Sequence, residues 1–364
     1  MRSLDGRWRT VVLGVLVCVV STGSLPAQTV KVLPQVNLRR HGAPAADYSG
    51  ITRIGTDRYA LVSDKAPVDG YYPLRLRIDS LTGRVLSVAV EPLRPVASQP
   101  KATSGYTSRD VEGVAYMPGT GTLFISGEGD QEIREYDLEG APTGRKLRVP
   151  PVFGKACIHP NYGFEALTYD PVRERFWTTT ENVLRADGHL VSPRNPQSGL
   201  LRLQSFGRDL QPGACYAYLT DRPEAERTGR AYAFGVSALT AMLDGSLLVL
   251  EREFYVARRY WGSWVQVKIY RVRPSGGEPL TASAASVEEA RRKVLPKQLV
   301  AEWKSRFNAV NTRLANYEGM CLGPCLADGR QTLVLVSDSQ GGAGRAPYRL
   351  KDFLRVIIVP PVVE

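Results

Sequence analysis

A repeated strand–turn–strand pattern limits what this chain can fold into more than any other feature of its sequence. In the clearest copy, an apolar run that starts at Glu112 is followed by the turn 117–122 and by a second apolar run that ends at Glu128. Similar copies return at intervals of about 50 to 80 residues, which is typical of repeat architectures. The position that opens each copy is acidic or serine, and its occurrences are Ser49, Glu112, Glu165, Ser237 and Glu318.

Short strands separated by turns fill almost the whole chain from residue 30 onward. The first four copies each contain four strands, whereas the fifth contains three, and the segment 30–38 can supply its missing strand. Four-stranded antiparallel units whose chain termini complete one unit are typical of a closed propeller, which has no long exposed sheet edge. The sequence therefore predicts an all-β fold, a β-propeller of four-stranded antiparallel blades. Five blades can be counted, and six are possible if a long loop contains a degenerate one.

The amino-terminal segment and one insertion depart from the repeat. Basic residues, the apolar run 11–20 and small residues up to Ala27 have the layout of a secretory signal peptide, and that run is too short for a stable membrane anchor. We therefore expect residues 28–364 to form one exported domain, periplasmic or secreted, and a monomer. Ser286 with Glu289 three residues later predicts a short helix at 286–293, inside an insertion near 284–294.

Charge narrows the class of partner. The net charge is +11 for the whole chain and falls to +9 when the three arginines and one aspartate of residues 1–27 are removed. A basic protein favours anionic partners, and we expect a small anionic substrate. No run of Lys and Arg interleaved with aromatic residues indicates a nucleic-acid groove.

Four cysteines remain after residue 27, namely Cys157, Cys215, Cys321 and Cys325. An even number in an oxidising compartment predicts disulfides, with three possible connectivities. Closeness along the chain favours Cys321 with Cys325 and Cys157 with Cys215. No histidine lies at zinc-ligand spacing from the close pair.

The repeat also predicts where carboxylates meet. In an antiparallel pair, the start of one strand and the end of the next lie at the same edge of the sheet, so the acids of each copy should face one mouth of the propeller. The predicted ring contains Asp64, Glu112, Glu128, Glu165, Glu181, Glu251, Glu318 and Asp338. Converging carboxylates raise one another's pKa unless they are compensated, and Ca²⁺, which takes six to eight oxygen ligands, is one natural compensation. Alternatively, each acid only accepts backbone N–H groups and fixes its blade.

The same residues carry a resemblance to the exported phytase-like family, described as "esterase-like activity of phytase". The pieces that carry it lie at 110–113, 161–167, 247–254 and 316–320, and the resemblance extends from about residue 45 to 360. It implies a propeller with acidic residues around its channel and a phosphomonoesterase or esterase activity. The segment 337–340, Ser-Asp-Ser-Gln, departs from the Ser-Asp-Asp-Asn form of that family.

The leading hypothesis is an exported, Ca²⁺-assisted phytase-like hydrolase of a phosphoester or other anionic ester. Predicted catalytic residues are Glu112, Glu165, Glu318 and His159. Predicted substrate-binding residues are Lys155, Arg252 and Arg345. Predicted metal ligands are Asp64, Glu128, Glu181, Glu251 and Asp338. Two alternatives stay open: a non-catalytic propeller that binds a ligand or a protein partner, and a lactonase-like metal propeller.

Overall fold

The structure of the protein is a computed structural model that describes residues 30–44, 46–66, 68–96, 109–309, 312–342 and 350–361. The predicted signal peptide and Arg345 lie outside these ranges. None of the helices formed by the described residues has the length and apolarity that crossing a bilayer requires.

Five antiparallel sheets follow one another along the described part of the chain. Two short strands and a 3₁₀ helix precede them: β1 (Lys31–Val32), β2 (Val36–Asn37) and Leu38–His41. The first sheet contains β3 (Tyr48–Arg53), β4 (Arg58–Ser63), β5 (Gly70–Ile78) and β6 (Val85–Val90), with β7 (Arg94–Pro95) paired to β5. The second contains β8 (Val111–Met117), β9 (Thr122–Gly127), β10 (Glu132–Tyr136) and β11 (Pro142–Lys146).

The remaining three sheets follow in chain order. The third contains β12 (Phe164–Asp170), β13 (Arg175–Thr180), β14 (Leu200–Phe206) and β15 (Pro212–Leu219). The fourth contains β16 (Ala231–Ala241), β17 (Leu247–Val256), β18 (Trp264–Val272) and β19 (Lys297–Arg306). The fifth contains β20 (Asn316–Cys325), β21 (Gln331–Asp338) and β22 (Phe353–Val359). Further 3₁₀ turns lie at Pro151–Phe153, Pro274–Gly276 and Gln340–Gly342.

These sheets are the blades of a closed propeller. The first strands of successive sheets contact one another in the order β3, β8, β12, β16 and β20, and β20 contacts β3 to close the ring. β1 and β2 pair with β22, so the two ends of the described chain complete the fifth blade. The predictions of an all-β propeller and of closure by the termini are confirmed, and the described residues form five blades.

Packing between neighbouring blades explains the sequence pattern of the strands. Phe124 of the second blade lies 4.4 Å from Phe176 of the third, measured between ring centroids. β21 is buried along its whole length because it has a neighbouring blade on each face. A strand covered on both faces needs apolar residues at successive positions rather than at alternate ones, and residues 333–336 are accordingly a continuous apolar run.

The innermost strands approach so closely that glycine is required at Gly50. A Cβ atom at this position of β3 would lie 2.3 Å from the carbonyl oxygen of Glu112 in β8 and 2.8 Å from Cγ2 of Val62. Both neighbours belong to packed strands that cannot move independently, so the centre of the ring tolerates no side chain here.

Replacing Gly50 by alanine is expected to lower the free energy of unfolding by about 2–3 kcal/mol, because the added methyl group overpacks the ring. Urea denaturation measures the change. Gly119→Ala is the matched control, since a Cβ at Gly119 meets no atom within 4 Å. Equal midpoints for the two variants would show that the ring centre is looser than described.

The insertion between β18 and β19 covers the edge of a different blade. Its helix α1 (Val287–Arg292) lies where the sequence predicts a helix, and the hydroxyl of Ser286 accepts from the N–H of Glu289. The insertion bonds along β15, where Leu280 N donates to Cys215 O at 2.8 Å and Leu295 N donates to Ala217 O at 2.9 Å. The fourth blade therefore protects the outer edge strand of the third from pairing with another chain.

The predicted disulfides are wrong for the residues that the structure describes, where all four cysteines are free. Cys321 and Cys325 are four residues apart on β20, and a strand rises about 3.3 Å per residue, so they are too distant for a disulfide. Cys215 is buried in an apolar cluster with Leu280 and Ala290, while the thiol of Cys157 donates to Pro151 O.

Candidate functional site

A β-bulge interrupts the innermost strand of every blade at one equivalent position. The pairing register with the second strand shifts there in all five blades. The bulged residues are Ser49, Glu112 with Gly113, Glu165, Ser237 and Glu318. These are the residues that open each sequence repeat. A bulge redirects a side chain out of the ordinary alternation of a strand, which explains why this column can turn toward the channel.

The second strand of each blade contributes the other column. The residue before each bulge pairs with Ser63, Gly127, Thr180, Glu251 or Ser337. The next residue along that second strand occupies the column, which is therefore Asp64, Glu128, Glu181, Arg252 and Asp338. In the fourth blade an arginine stands where the other blades have a carboxylate.

The predicted ring must be corrected at Glu251. Its carboxylate accepts from the Tyr218 hydroxyl, from Lys297 Nζ at 2.7 Å and from the N–H of Asp221 at 2.9 Å, so it lies between the third and fourth blades. It does not line the channel mouth. Since side chains alternate along a strand, Glu251 and Arg252 face opposite sides of β17.

The other seven predicted acids surround one pocket, which we call the acid pocket. Its volume is about 390 Å³. The charged residues that line it are Asp64, Lys65, Asp110, Glu112, Glu128, Glu165, Glu181, Arg252, Glu318 and Asp338. Beneath it, the gap among the innermost strands is only about 10 Å³, roughly the space of one water molecule. The acid pocket is therefore a cup at one end of the propeller.

A third polar column was missed by sequence reasoning. Asp47, Asp110 and Asn316 each lie two residues before a bulged residue, whereas the third and fourth blades have Gly163 and Gly235 there. The signal was present in the repeat, but it is visible only once the bulges align the copies. Tyr162, Tyr232 and Gln340 also line the acid pocket and were not predicted.

Lys155, His159 and Arg252, all predicted to belong to the site, lie elsewhere or have another role. Lys155 is exposed, and His159 Nε2 lies 3.2 Å from Gly188 O; neither lines the acid pocket. Arg252 does line it, but its Nη2 lies 2.9 Å from a Glu181 oxygen and 3.2 Å from Glu318 Oε1. Lys65, which was not predicted, contacts Asp64 and lies 3.6 Å from Asp110. The pocket thus contains two cations: Lys65 beside Asp64 and Asp110, and Arg252 beside Glu181 and Glu318.

Five carboxylates of the acid pocket hold their protons unusually tightly. Burial raises the pKa of Glu128 to about 7 and that of Glu318 to about 8, against the opposing effects of Gly163 N–H and Arg252 respectively. Burial and neighbouring carboxylates raise the pKa of Glu112, Glu165 and Asp338 well above the ordinary range. Near neutral pH the pocket therefore contains both charged and protonated acids.

Stability in calcium-free buffer is expected to fall as the pH rises from about 5 to about 8. Glu128 and Glu318 stay protonated in the folded protein up to about pH 7 and 8, whereas in the unfolded chain they ionise near their ordinary value of 4.5. The folded state holds more protons in this window, so the free energy of unfolding decreases with pH. Below the ordinary value both states are protonated and these groups contribute no pH dependence.

Thermal melting in EDTA across this pH range measures the effect. Glu318→Gln removes one of the titrating groups while keeping its size, so its melting temperature should depend less on pH. A melting temperature that rises between pH 5 and pH 8 in the unaltered protein would contradict the protonation described here.

Asp64 is shared by two groups of three acids whose oxygens lie within 4.8 Å of one another: Asp47 with Asp64 and Asp338, and Asp64 with Asp110 and Glu112. Among the described residues, Asp64 Oδ1 is buried without a hydrogen-bond partner. Asp47 and Asp110 have φ angles of 46° and 51°, a left-handed conformation that is uncommon outside glycine. Carboxylate oxygens in this number and spacing fit Ca²⁺.

Three solved structures with detectable similarity are remote in sequence and in fold. A member of the DUF4221 family from Bacteroides vulgatus is 7% identical, with a TM-score of 0.38, over 91% of this chain and 99% of that one. A protein from Lactobacillus plantarum is 14% identical, with a TM-score of 0.35, over 86% and 89%. The Cps50 (Swd1) beta-propeller domain of Myceliophteria thermophila is 8% identical, with a TM-score of 0.33, over 91% and 100%. Similarities this weak carry no argument about this chain.

Family membership rests on the sequence itself. No curated protein matches the chain significantly. The family described as "Phytase-like: Esterase-like activity of phytase" matches residues 44–340. That range starts before the first blade and includes both acidic columns, and it covers most of the chain. The protein therefore belongs to the Phytase-like family.

Proposed function

We propose that the protein is an exported hydrolase of phosphoesters or other anionic esters, and that it works with Ca²⁺ at the acid pocket. One observation carries the proposal: carboxylates from every blade but the fourth converge on one cup, with Asp64 shared between two groups of three acids. Family membership supports the hydrolase class. Export is inferred from the sequence of residues 1–27.

A bound cation would favour the entry of an anionic substrate into the pocket. Lys65 and Arg252 face eight acids, and as these acids ionise they would repel a phosphate group unless a cation is bound. Ca²⁺ held by Asp47, Asp64, Asp110, Glu112 and Asp338 would supply positive charge for the substrate oxygens and lower the pKa of an attacking water. Lys65 lies beside Asp64 and Asp110, where its ammonium group can donate to a substrate oxygen.

The third blade can supply a proton for the leaving group. Burial and the neighbouring Glu181 raise the pKa of Glu165 well above its ordinary value, which favours the protonated carboxyl group. In hydrolysis, the oxygen of water bonds to phosphorus, the ester P–O bond breaks, and the leaving alkoxide takes a proton to become the alcohol. Glu165 is placed to donate that proton as general acid. The reaction consumes one ester and one water and yields an alcohol and phosphate.

Phosphate release from phenyl phosphate and glycerol phosphate tests the proposal. We expect turnover in Ca²⁺ that stops in excess EDTA and returns when Ca²⁺ is restored. Glu165→Gln should slow hydrolysis of glycerol phosphate more than that of p-nitrophenyl phosphate, whose leaving group needs no protonation. Undiminished turnover in EDTA, or none under any condition, would overturn the proposal.

A second candidate is a non-catalytic propeller in which the acids hold the blades together. It is favoured by Glu128, whose Oε1 accepts from the N–H of Gly163 at 2.7 Å and so joins the second blade to the third. This candidate predicts that millimolar Ca²⁺ leaves the melting temperature unchanged and that no ester of a broad panel, lactones included, is hydrolysed.

A further inference from the structure

A second cavity of about 230 Å³ adjoins the acid pocket, and we call it the side cavity. It lies beside the fourth and fifth blades. Its lining includes Phe254, Val256, Phe307, Leu314 and Leu350, of which Phe254, Phe307 and Leu314 are almost fully buried. The two cavities therefore have opposite chemistry: one is lined by carboxylates and the other mainly by hydrocarbon.

The two cavities share part of their walls. Ala231, Phe254 and Gln340 line both of them. A group seated against Phe254 in the side cavity is consequently close to whatever occupies the acid pocket. Because the two cavities adjoin at these three residues, one small molecule is expected to reach from one into the other.

Three aromatic rings, those of Phe254, Tyr260 and Phe307, line the side cavity. Tyr260 lines it and lies under the guanidinium of Arg230, which is 5.1 Å from the ring centroid. Trp261 is 56% exposed and packs edge-on against Phe307. A flat apolar group entering here would meet ring faces and edges, which are favourable partners for another ring.

We propose that the side cavity binds the apolar part of the substrate, so that the substrate class is an ester with an anionic head and a compact aromatic or branched alkyl group. This inference rests on the proposed function, because the acid pocket must hold the anionic head. A substrate that is polar throughout would leave the apolar cavity filled only with water and gain nothing from it.

Two phosphonates distinguish failure of this inference from failure of the proposed function. Both carry the anionic head, and neither can be hydrolysed. Calorimetry in Ca²⁺ should show phenylphosphonate binding at least about tenfold more tightly than methylphosphonate, because the phenyl group buries much more apolar surface than the methyl group. Equal affinities would overturn the inference while leaving the proposed function intact. Failure of both to bind would overturn the proposed function and this inference with it.

Substitutions test whether the preference for phenylphosphonate arises in the side cavity. Val256 is half-buried in the cavity wall, and Val256→Trp should fill the cavity, remove the preference for phenylphosphonate and leave methylphosphonate affinity within about twofold. Val300→Trp is the matched control, because Val300 is half-buried on β19 outside the cavity. An undiminished preference in Val256→Trp would contradict the assignment. The comparison in the unaltered protein needs no variant and stands even if Val256→Trp folds poorly.

Discussion

Arg252→Met is expected to lower the free energy of unfolding by about 3–5 kcal/mol at pH 8, because it removes one partner from a buried group of charges. The guanidinium contacts Glu181 and Glu318, and all three side chains are almost completely buried. Without Arg252, two carboxylates remain in the acid pocket with no compensating cation between them. Methionine keeps the apolar stem of the side chain, so most of the loss comes from the guanidinium group.

The same variant should be less damaging at pH 5. Burial raises the pKa of Glu318 to about 8 and raises that of Glu181 as well, so both can stay protonated in the folded variant at low pH. Chemical denaturation at the two pH values measures the difference. Arg292→Met is a suitable control, since Arg292 pairs with Glu288 on the exposed face of α1 and should have little effect. A similarly small loss for Arg252→Met would show that its ion pairs are unimportant.

Asp64→Asn is expected to reduce Ca²⁺ affinity and ester hydrolysis at least about a hundredfold. Asp64 is the only described residue shared by both groups of three acids, so the substitution removes a charged ligand from each. Changing groups that merely orient metal ligands costs about 10–100-fold, and a ligand should cost more. Asparagine keeps the size of the side chain, so the fold should survive.

Glu251→Gln is the informative comparison for Asp64→Asn. The sequence repeat places Glu251 in the acidic column, whereas the structure places it between blades, bonded to Tyr218 and Lys297. We expect the variant to be less stable but to keep its Ca²⁺ affinity when it is assayed well below its melting temperature. Equal losses of affinity in Asp64→Asn and Glu251→Gln would contradict the site described here.

The sequence was sufficient for the propeller, because strand lengths, turns and the recurrence of acids all have local signals. Glu112 with Glu128, and Glu165 with Glu181, have the same spacing, and both pairs do meet at the acid pocket. The pairing of β1 and β2 with β22 also followed from counting strands. Long-range closure could be predicted here because a repeat leaves few other ways to cover its edges.

In the fourth blade, the residue that faces the acid pocket could not be predicted from the sequence. β17 continues through Val256 without a turn, so the sequence does not mark which of residues 251–253 ends the column. Only the pairing of Val236 with Glu251 before the bulge shows that the next residue, Arg252, faces the acid pocket. A bulge adds one residue to one strand and leaves no clear trace in composition. The role of Asp47 was missed for the same reason.

The disulfide prediction failed for a different reason. Counting cysteines says nothing about distance, and the apparent closeness of Cys321 and Cys325 disappears once both lie on one extended strand. Locality along the chain is a poor guide to pairing wherever the intervening residues are β-structure.

Titration of the chelator-treated protein with Ca²⁺ by calorimetry tests the central claim most directly. Because burial and neighbouring carboxylates raise the pKa of Glu112 and Asp338, Ca²⁺ binding, which favours their charged forms, should release protons as well as saturate. We therefore predict saturable binding whose measured heat changes with the ionisation enthalpy of the buffer, and its loss in Asp64→Asn. An absence of saturable binding, or binding that Asp64→Asn leaves unchanged, would contradict a calcium site at the acid pocket.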